Sequence, residues 1–453
     1  MKALLNNRSM AVLAFAALLL ISGLAAVYPT SFPTAKEGSI DAAMTGNIAW
    51  MIVASSLVLL MTPGLAFFYG GMVSKKNIIS TMLQSFICLG VVSVLWYVVG
   101  FSLAFGEDVG GYGFIGNPAS FFMFNNVGTA PSLDTRLGGG LPFILFSAFQ
   151  LKFAIITPAL ITGSFAERVR FWGYIVFINL WVLLIYCPLA HMAWHPDGLL
   201  FKWGALDFAG GTVVHISAGC AAVAGAMVLG RRKNAGETMP VNIPFVILGT
   251  GLLWFGWFGF NAGSALAANA TAVKAFVNTN LASAVAGITW IILDTVKGKK
   301  PSALGACIGA VVGLVAITPA AGYVNYGPSL FIGFFAAVVS NYAVVFFNKT
   351  SMDDTLDVFP CHGVGGIVGM LLTGVFATEF GKGLITGETA LFITHLKALL
   401  VVLPFALFGS WLVFKLTAII TTLRVDESEE AEGLDISQHD ETIIHDDSLE
   451  IAY

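Results

Sequence analysis

From residue 47 to residue 421 the chain repeats one theme: a stretch of about 20 or more mostly apolar residues, then a connector bearing Gly, Pro or charge. Wound as an α-helix rising about 1.5 Å per residue, such a stretch matches the hydrocarbon thickness of a bilayer. The pattern predicts about eleven spanning helices, at 47–72, 78–105, 142–166, 171–193, 208–230, 242–263, 272–295, 303–320, 327–347, 361–378 and 391–421. With 57% hydrophobic and 11% charged residues over 453 positions, the chain carries more apolar surface than a soluble core of that length can bury. The fold class is therefore an all-α polytopic membrane protein. The net charge of −4 marks no nucleic-acid surface.

Residues 1–27 stand apart. Lys2 and Arg8 precede a short apolar run, Met10 to Ile21, which is followed by the small residues Ser22, Gly23, Ala25 and Ala26. This is the pattern of a cleavable secretory signal, the alternative being an uncleaved extra helix. Residues 28–46 then form an extracytoplasmic segment.

Basic residues set the orientation, because Lys and Arg accumulate in cytoplasmic loops. Lys75, Lys76, Arg168, Arg170, Arg231, Arg232, Lys233, Lys297, Lys299, Lys300 and Lys349 fall in one alternate set of connectors, against only Arg136, Lys202, Lys274 and Lys382 in the other. The N-terminus is thus expected outside and the C-terminus inside. The long connector from Glu107 to Gly140 then lies outside, and an acidic tail, 422–453, lies in the cytoplasm.

An odd number of spans fits two five-helix halves of opposite orientation, 47–230 and 242–378, followed by an eleventh helix at 391–421. The fifth and tenth spans share a detail: an Asp shortly before a lone His, as Asp207 before His215 and Asp357 before His362.

An ionisable group at membrane depth costs on the order of a few kcal/mol, so each is a functional candidate. Either histidine alone reads as a core residue with satisfied ring nitrogens. Two at equivalent repeat positions, flanked by small residues that let helices approach closely, read as a site. No third Cys, His or carboxylate stands at ligand spacing beside them, and Cys88, Cys187, Cys220, Cys307 and Cys361 are scattered singly. No metal, other cofactor or enzymatic activity is expected.

Trp257, Phe260, Asn261 and Ser264 share one helix face by i, i+3, i+4, i+7 spacing, as packing residues or as a lining. Phe149 and Phe153 lie one turn apart, and Trp194 sits where the fourth span leaves the membrane. Aromatic faces attract small cations by roughly 0.5 to 2 kcal/mol per good contact. Asp207, at the start of the fifth span, reads first as a helix cap and second as a source of field at an entrance.

Several strings carry a resemblance: TPGLAFFYGGMVSKKN (62–77), FQLKFAIITPALITGSFAERVRF (149–171), DFAGGTVVHISAG (207–219), GWFGFNAGSA (256–265), DVFPCHGVGGIVG (357–369) and LRVDESEEAEGLD (423–435). In these the sequence closely resembles the ammonium transporter family, Amt/Mep, of bacterial type and related to the Rhesus proteins. The resemblance implies an eleven-helix protomer with one pore, in a homotrimer of the bacterial inner membrane. It implies an ammonium recruitment site at Phe153, Trp194 and Ser264, a stacked gate of Phe153 and Phe260, and a pore lined by His215, His362 and Trp257. Asp207 matches the family's acidic residue. Methylammonium is implied as a substrate analogue. The segment 423–435 resembles one that packs beneath a neighbouring subunit, and a PII-type signalling protein is the implied cytoplasmic partner.

Lys152 departs from the family pattern and is expected to face a helix or subunit interface. The function so implied is recruitment of ammonium, its deprotonation, and conduction of ammonia with or without the proton. A Rhesus-like channel for neutral gas and an ammonium sensor with little flux are the alternatives.

Overall fold

The computed structural model describes residues 6–36, 42–233, 235, 240–380 and 382–443. Its helices, in chain order, are α1 (Asn7–Val27), α2 (Ala42–Met72), α3 (Lys75–Phe105), α4 (Phe143–Phe165), α5 (Phe171–Lys202), α6 (Gly211–Leu229), α7 (Ile243–Gly263), α8 (Ala270–Val296), α9 (Ala303–Ile317), α10 (Tyr326–Phe347), α11 (Phe359–Phe376), α12 (Ala390–Ile420), α13 (Glu427–Glu432) and α14 (Leu434–His439). Among the described residues there is no strand, only two isolated bridges, Asp108 with Gly116 and Val169 with Arg424.

Eleven described helices are long and apolar enough to cross a membrane. They are not quite the eleven expected. The N-terminal α1 is one of them, with a best window of mean hydropathy 2.6 of which only 6% is buried. The expected eighth span is the shorter α9, 15 residues long. Pro319, two residues past its end, lacks an N–H, and its ring packs where any side chain on Gly211 of α6 would stand.

Glycine permits several close helix crossings, two of them between the halves expected from the sequence. A Cβ on Gly249 or Gly259 of α7 would fall 2.3 Å from Phe68 N or 2.6 Å from Ala54 O of α2. A Cβ on Gly219 of α6 would fall 2.4 Å from Gly363 Cα of α11. In the five-plus-five reading these pairs would be the first elements and the fifth elements of the two halves. The α6–α11 crossing is what brings two distant segments of sequence into ring contact at the middle of the bundle.

The tail folds back on this chain's own loops. Arg170 clasps Glu429 through both guanidinium nitrogens at 3.2 and 2.6 Å, and Asn77 Oδ1 accepts from Leu434 N at 2.7 Å. Asp435 caps the start of α3, accepting from Ile79 N at 3.1 Å and Ser80 N at 2.8 Å. Beside it, Arg168 is fully buried and donates to Thr355 Oγ1 at 2.7 Å and to the carbonyls of Ser164 and Asp353 at 3.1 and 2.6 Å. Burial works against the Asp353 carboxylate, yet the hydrogen bonds and charge of Arg232, with the charge of Arg168, hold it below the usual range.

Candidate functional site

Both histidines sit in π-helical turns. In α6 the N–H of His215 donates to Gly210 O at 3.1 Å, five residues back, within the turn Gly211–Ile216. In α11 the turn is Phe359–Gly363. Such turns widen the helix locally and leave ring-bearing positions turned out of the regular stripe. Gly210 makes the entry possible, with φ of 114° and Trp194 Cζ2 at 3.3 Å from where its Cβ would be.

Asp207 shapes the α6 turn. Its Oδ1 accepts from Gly210 N at 3.0 Å and Gly211 N at 2.6 Å, and its Oδ2 accepts from Thr212 N at 2.8 Å and from the Thr212 hydroxyl. A carboxylate satisfying three N–H groups at the positive end of a helix is a cap first. Its backbone oxygen accepts from Trp194 Nε1 at 3.1 Å, so the same residue also aims the indole.

The α11 turn has a matching cap, though not the expected one. Asp354 Oδ2 accepts from Phe359 N at 2.7 Å, five residues ahead as Thr212 is from Asp207. Asp354 precedes His362 by the same interval that separates Asp207 from His215. Asp357, paired with Asp207 in the sequence reading, instead sits at φ 55° in the turn before the helix. Burial and the neighbouring Asp354 push its carboxyl up to about 8, against a hydrogen bond from Asn348.

The two rings meet Nδ1 to Nδ1 at 3.3 Å, with centroids 5.4 Å apart. A row of aromatics leads from them toward the end of the bundle opposite the tail. His215 lies 5.3 Å from the Trp257 ring and 6.0 Å from Phe260. Phe260 lies 4.3 Å from Phe153, tilted by 36°, and Phe153 lies edge to face with Trp194 at 5.7 Å. Trp257 is held by its Nε1 donating to Thr318 Oγ1 at 2.9 Å. His215, Trp257, Phe260 and Phe153 are each no more than 1% exposed, and His362 is 4%.

At that end Phe153, Trp194 and Ser264 line one pocket of about 200 Å³. Ser264 donates to Phe260 O at 2.9 Å, which leaves its oxygen lone pairs available to accept. Lys152 is half-buried and is not among the lining residues. The lining does include Gln150 and Arg136, which the sequence reading passed over. Gln150 stands three residues before Phe153, and that spacing alone was available as a signal. Arg136 is held by Asp134 and Asp197 at 2.7 and 2.9 Å, from two different loops. No group of three or more His, Cys, Asp or Glu among the described residues could hold a metal ion.

Comparison with known proteins follows the same lines. The family model described as "Ammonium Transporter Family" matches residues 49–444. An ammonium transporter of Aquifex aeolicus is 46% identical over 91% of this chain and 96% of its own. Among solved structures, Saccharomyces cerevisiae Mep2 superposes with a TM-score of 0.79 at 35% identity, covering 84% of this chain and 88% of that one. A structure titled "Sensor Amt Protein" gives a TM-score of 0.80 at 30% identity, covering 88% and 99%.

Proposed function

Because this chain belongs to the ammonium transporter family, a family of transporters and not of enzymes, we propose that it recruits ammonium at Phe153, Trp194 and Ser264 and passes the nitrogen inward along His215 and His362. The observation that carries this is the unbroken ring-to-ring row from Trp194 through Phe153 and Phe260 to the histidine pair.

Each station has a physical task. Potassium and ammonium share size and charge, but only ammonium can donate a hydrogen bond to Ser264 while the Trp194 and Phe153 faces contact its other sides. Potassium would shed hydration with less replacement. Past the facing pair Phe153 and Phe260 the surroundings are apolar, and a bare cation there is driven to lose its proton. Neutral ammonia then moves along the imidazoles, where His215 Nε2 is buried with no partner among the described residues and can exchange a hydrogen bond with it. The histidine pair offers a route for the proton.

The same reading places residues 47–230 and 242–378 as inverted halves, puts the aromatic pocket outside and the tail in the cytoplasm of a bacterial inner membrane, and makes the assembly a homotrimer. Residues 1–27 are the leader, consistent with an α1 that packs against almost nothing. The tail, locked onto the loops through Arg170 and Asp435, is the surface on which a PII-type protein would act.

Reconstitution into liposomes tests the proposal. Ammonium and methylammonium should evoke inward current with a change of internal pH, and potassium should evoke none. Alkalinisation without current would favour the neutral-gas reading. Binding without flux would favour a sensor, the reading that likeness to the sensor structure keeps in view.

A further inference from the structure

The C-terminal stretch of α5 carries two histidines that the transport path does not touch. His191 is fully buried and His195 is 3% exposed; their rings stack at 4.4 Å, 14° from parallel. His191 Nδ1 lies 3.1 Å from Ala104 O, at the end of α3. Its Nε2 lies 3.1 Å from Asp108 Oδ1, just beyond α3.

A carbonyl oxygen only accepts, so Nδ1 carries a hydrogen. Neutral imidazole has one N–H, and it is then spent. The contact at Nε2 therefore needs a second proton, held either as imidazolium facing carboxylate or as a carboxylic acid donating to the ring. Either way the pair keeps one proton more than a neutral histidine and an ionised aspartate. His195 is different: its Nδ1 accepts from Asp197 N at 3.1 Å, which satisfies it in the neutral form.

Asp108 is itself fixed by its loop. Asp108 Oδ1 also accepts from Gly113 N at 2.8 Å, and its Oδ2 is buried without a partner among the described residues. Besides Asp108, the groups facing His191 are Asp197 and the stacked ring of His195, and His195 in turn faces Asp134 and Arg136, the last already clasped by both aspartates. The turn that His191 anchors is the one that bears Trp194, three residues on. His195 N donates back to His191 O at 3.1 Å, and a Cβ on Gly198 would lie 2.1 Å from that same oxygen.

We propose that Asp108 and His191 form a proton-held clasp that positions Trp194 at the entrance, so that affinity for the incoming cation depends on external pH. Loss of the shared proton sets a nitrogen lone pair against a buried acceptor, which costs the full penalty of an unmade hydrogen bond and frees the turn. His191 and Asp108 are positioning residues. This inference rests on the reading of Trp194 as part of the recruitment site.

Methylammonium uptake by proteoliposomes, followed across external pH from about 4.5 to 9, tests it. Methylamine is the stronger base and stays cationic through most of that range. The unsubstituted protein should show KM rising several-fold toward the alkaline end with its maximal rate little changed. His191→Gln, whose amide can donate with no titrating proton, should give a flat KM profile; His191→Ala should raise KM at every pH. Asp108→Asn supplies a second reading by moving the rise to lower pH. If the rise persists unchanged in both His191→Gln and Asp108→Asn, the clasp is refuted. Trp194→Leu separates the two ideas: an unchanged KM there refutes the recruitment reading itself, while a raised KM together with unmoved profiles in the clasp variants refutes only the clasp.

Discussion

His215 and His362 face each other through Nδ1 atoms 3.3 Å apart. One of the two must donate and the other accept, so the pair holds a single proton between its inner nitrogens and presents its outer nitrogens to the path. Each ring fixes the tautomer of the other. Replacing either one leaves its partner free to turn and removes the shared proton.

His215→Leu and His362→Leu keep an apolar lining of similar bulk, so the protein should still reach the membrane. Each is expected to lower ammonium-evoked current by about tenfold or more, the scale on which a positioned proton carrier contributes. Solid-supported membrane recordings on proteoliposomes would show this. Unchanged current and unchanged potassium exclusion in both variants would remove the histidines from the mechanism.

The entrance predicts a different kinetic pattern. A good cation–π contact contributes about 0.5 to 2 kcal/mol, so Trp194→Leu should raise KM for methylammonium by about 2- to 30-fold. Ser264→Ala removes the hydroxyl proposed to accept from ammonium and so to tell it from potassium. It should raise KM and weaken discrimination against potassium in competition uptake, with the maximal rate less affected than in the histidine variants.

How much of this was legible depended on what kind of force acts at each position. The spans were readable because lipid demands an apolar residue at nearly every outward position, and the two histidines stood out because an ionisable group there is costly. Pro319 was in plain sight, yet the shortness of α9 depends on its packing against Gly211, a tertiary fact. The sequence pairs Asp357 with Asp207 by nearness to a histidine, whereas the cap that matches Asp207 is Asp354, which stands at the same interval from its ring. The π-helical turns had no local signature; they accompany the close crossing of Gly219 on Gly363, which no window of sequence contains. Gln150 and Arg136 join the pocket lining through loops and a helix face that single-helix periodicity does not connect.

The tail offers a test that does not involve the path. Arg170 with Glu429 and Asp435 on the N–H groups of Ile79 and Ser80 tie residues 424–443 to the loops that border the bundle. Hydrogen bonds to charged groups contribute about 1.5 to 3 kcal/mol each when partly buried. Deleting residues 424–453 should therefore lower methylammonium uptake or abolish its regulation. Asp435→Ala should do so partially, because α3 then loses its cap while the other contacts stay. Full regulated uptake by the truncated protein would show that the docked tail has no part in transport.

Asp357 gives a prediction with a definite sign. Its folded-state value is raised to about 8, whereas an unfolded aspartate titrates near about 3.9. The folded protein therefore binds more protons than the unfolded chain between those values, and the stability that the neutral carboxyl contributes is present at acid pH and lost as pH rises toward about 8. Asn tolerates the positive φ of 55° found there, and its amide cannot ionise. Asp357→Asn should consequently match the parent's melting temperature in detergent at about pH 4 and exceed it by a margin that widens up to about pH 8 and then levels off. The opposite response of Asp353, whose folded value is lowered, is common to both proteins and cancels in the difference. A margin that stays constant with pH would mean that Asp357 is ionised in the folded state, and that the turn before α11 carries a buried charge instead of a neutral acid.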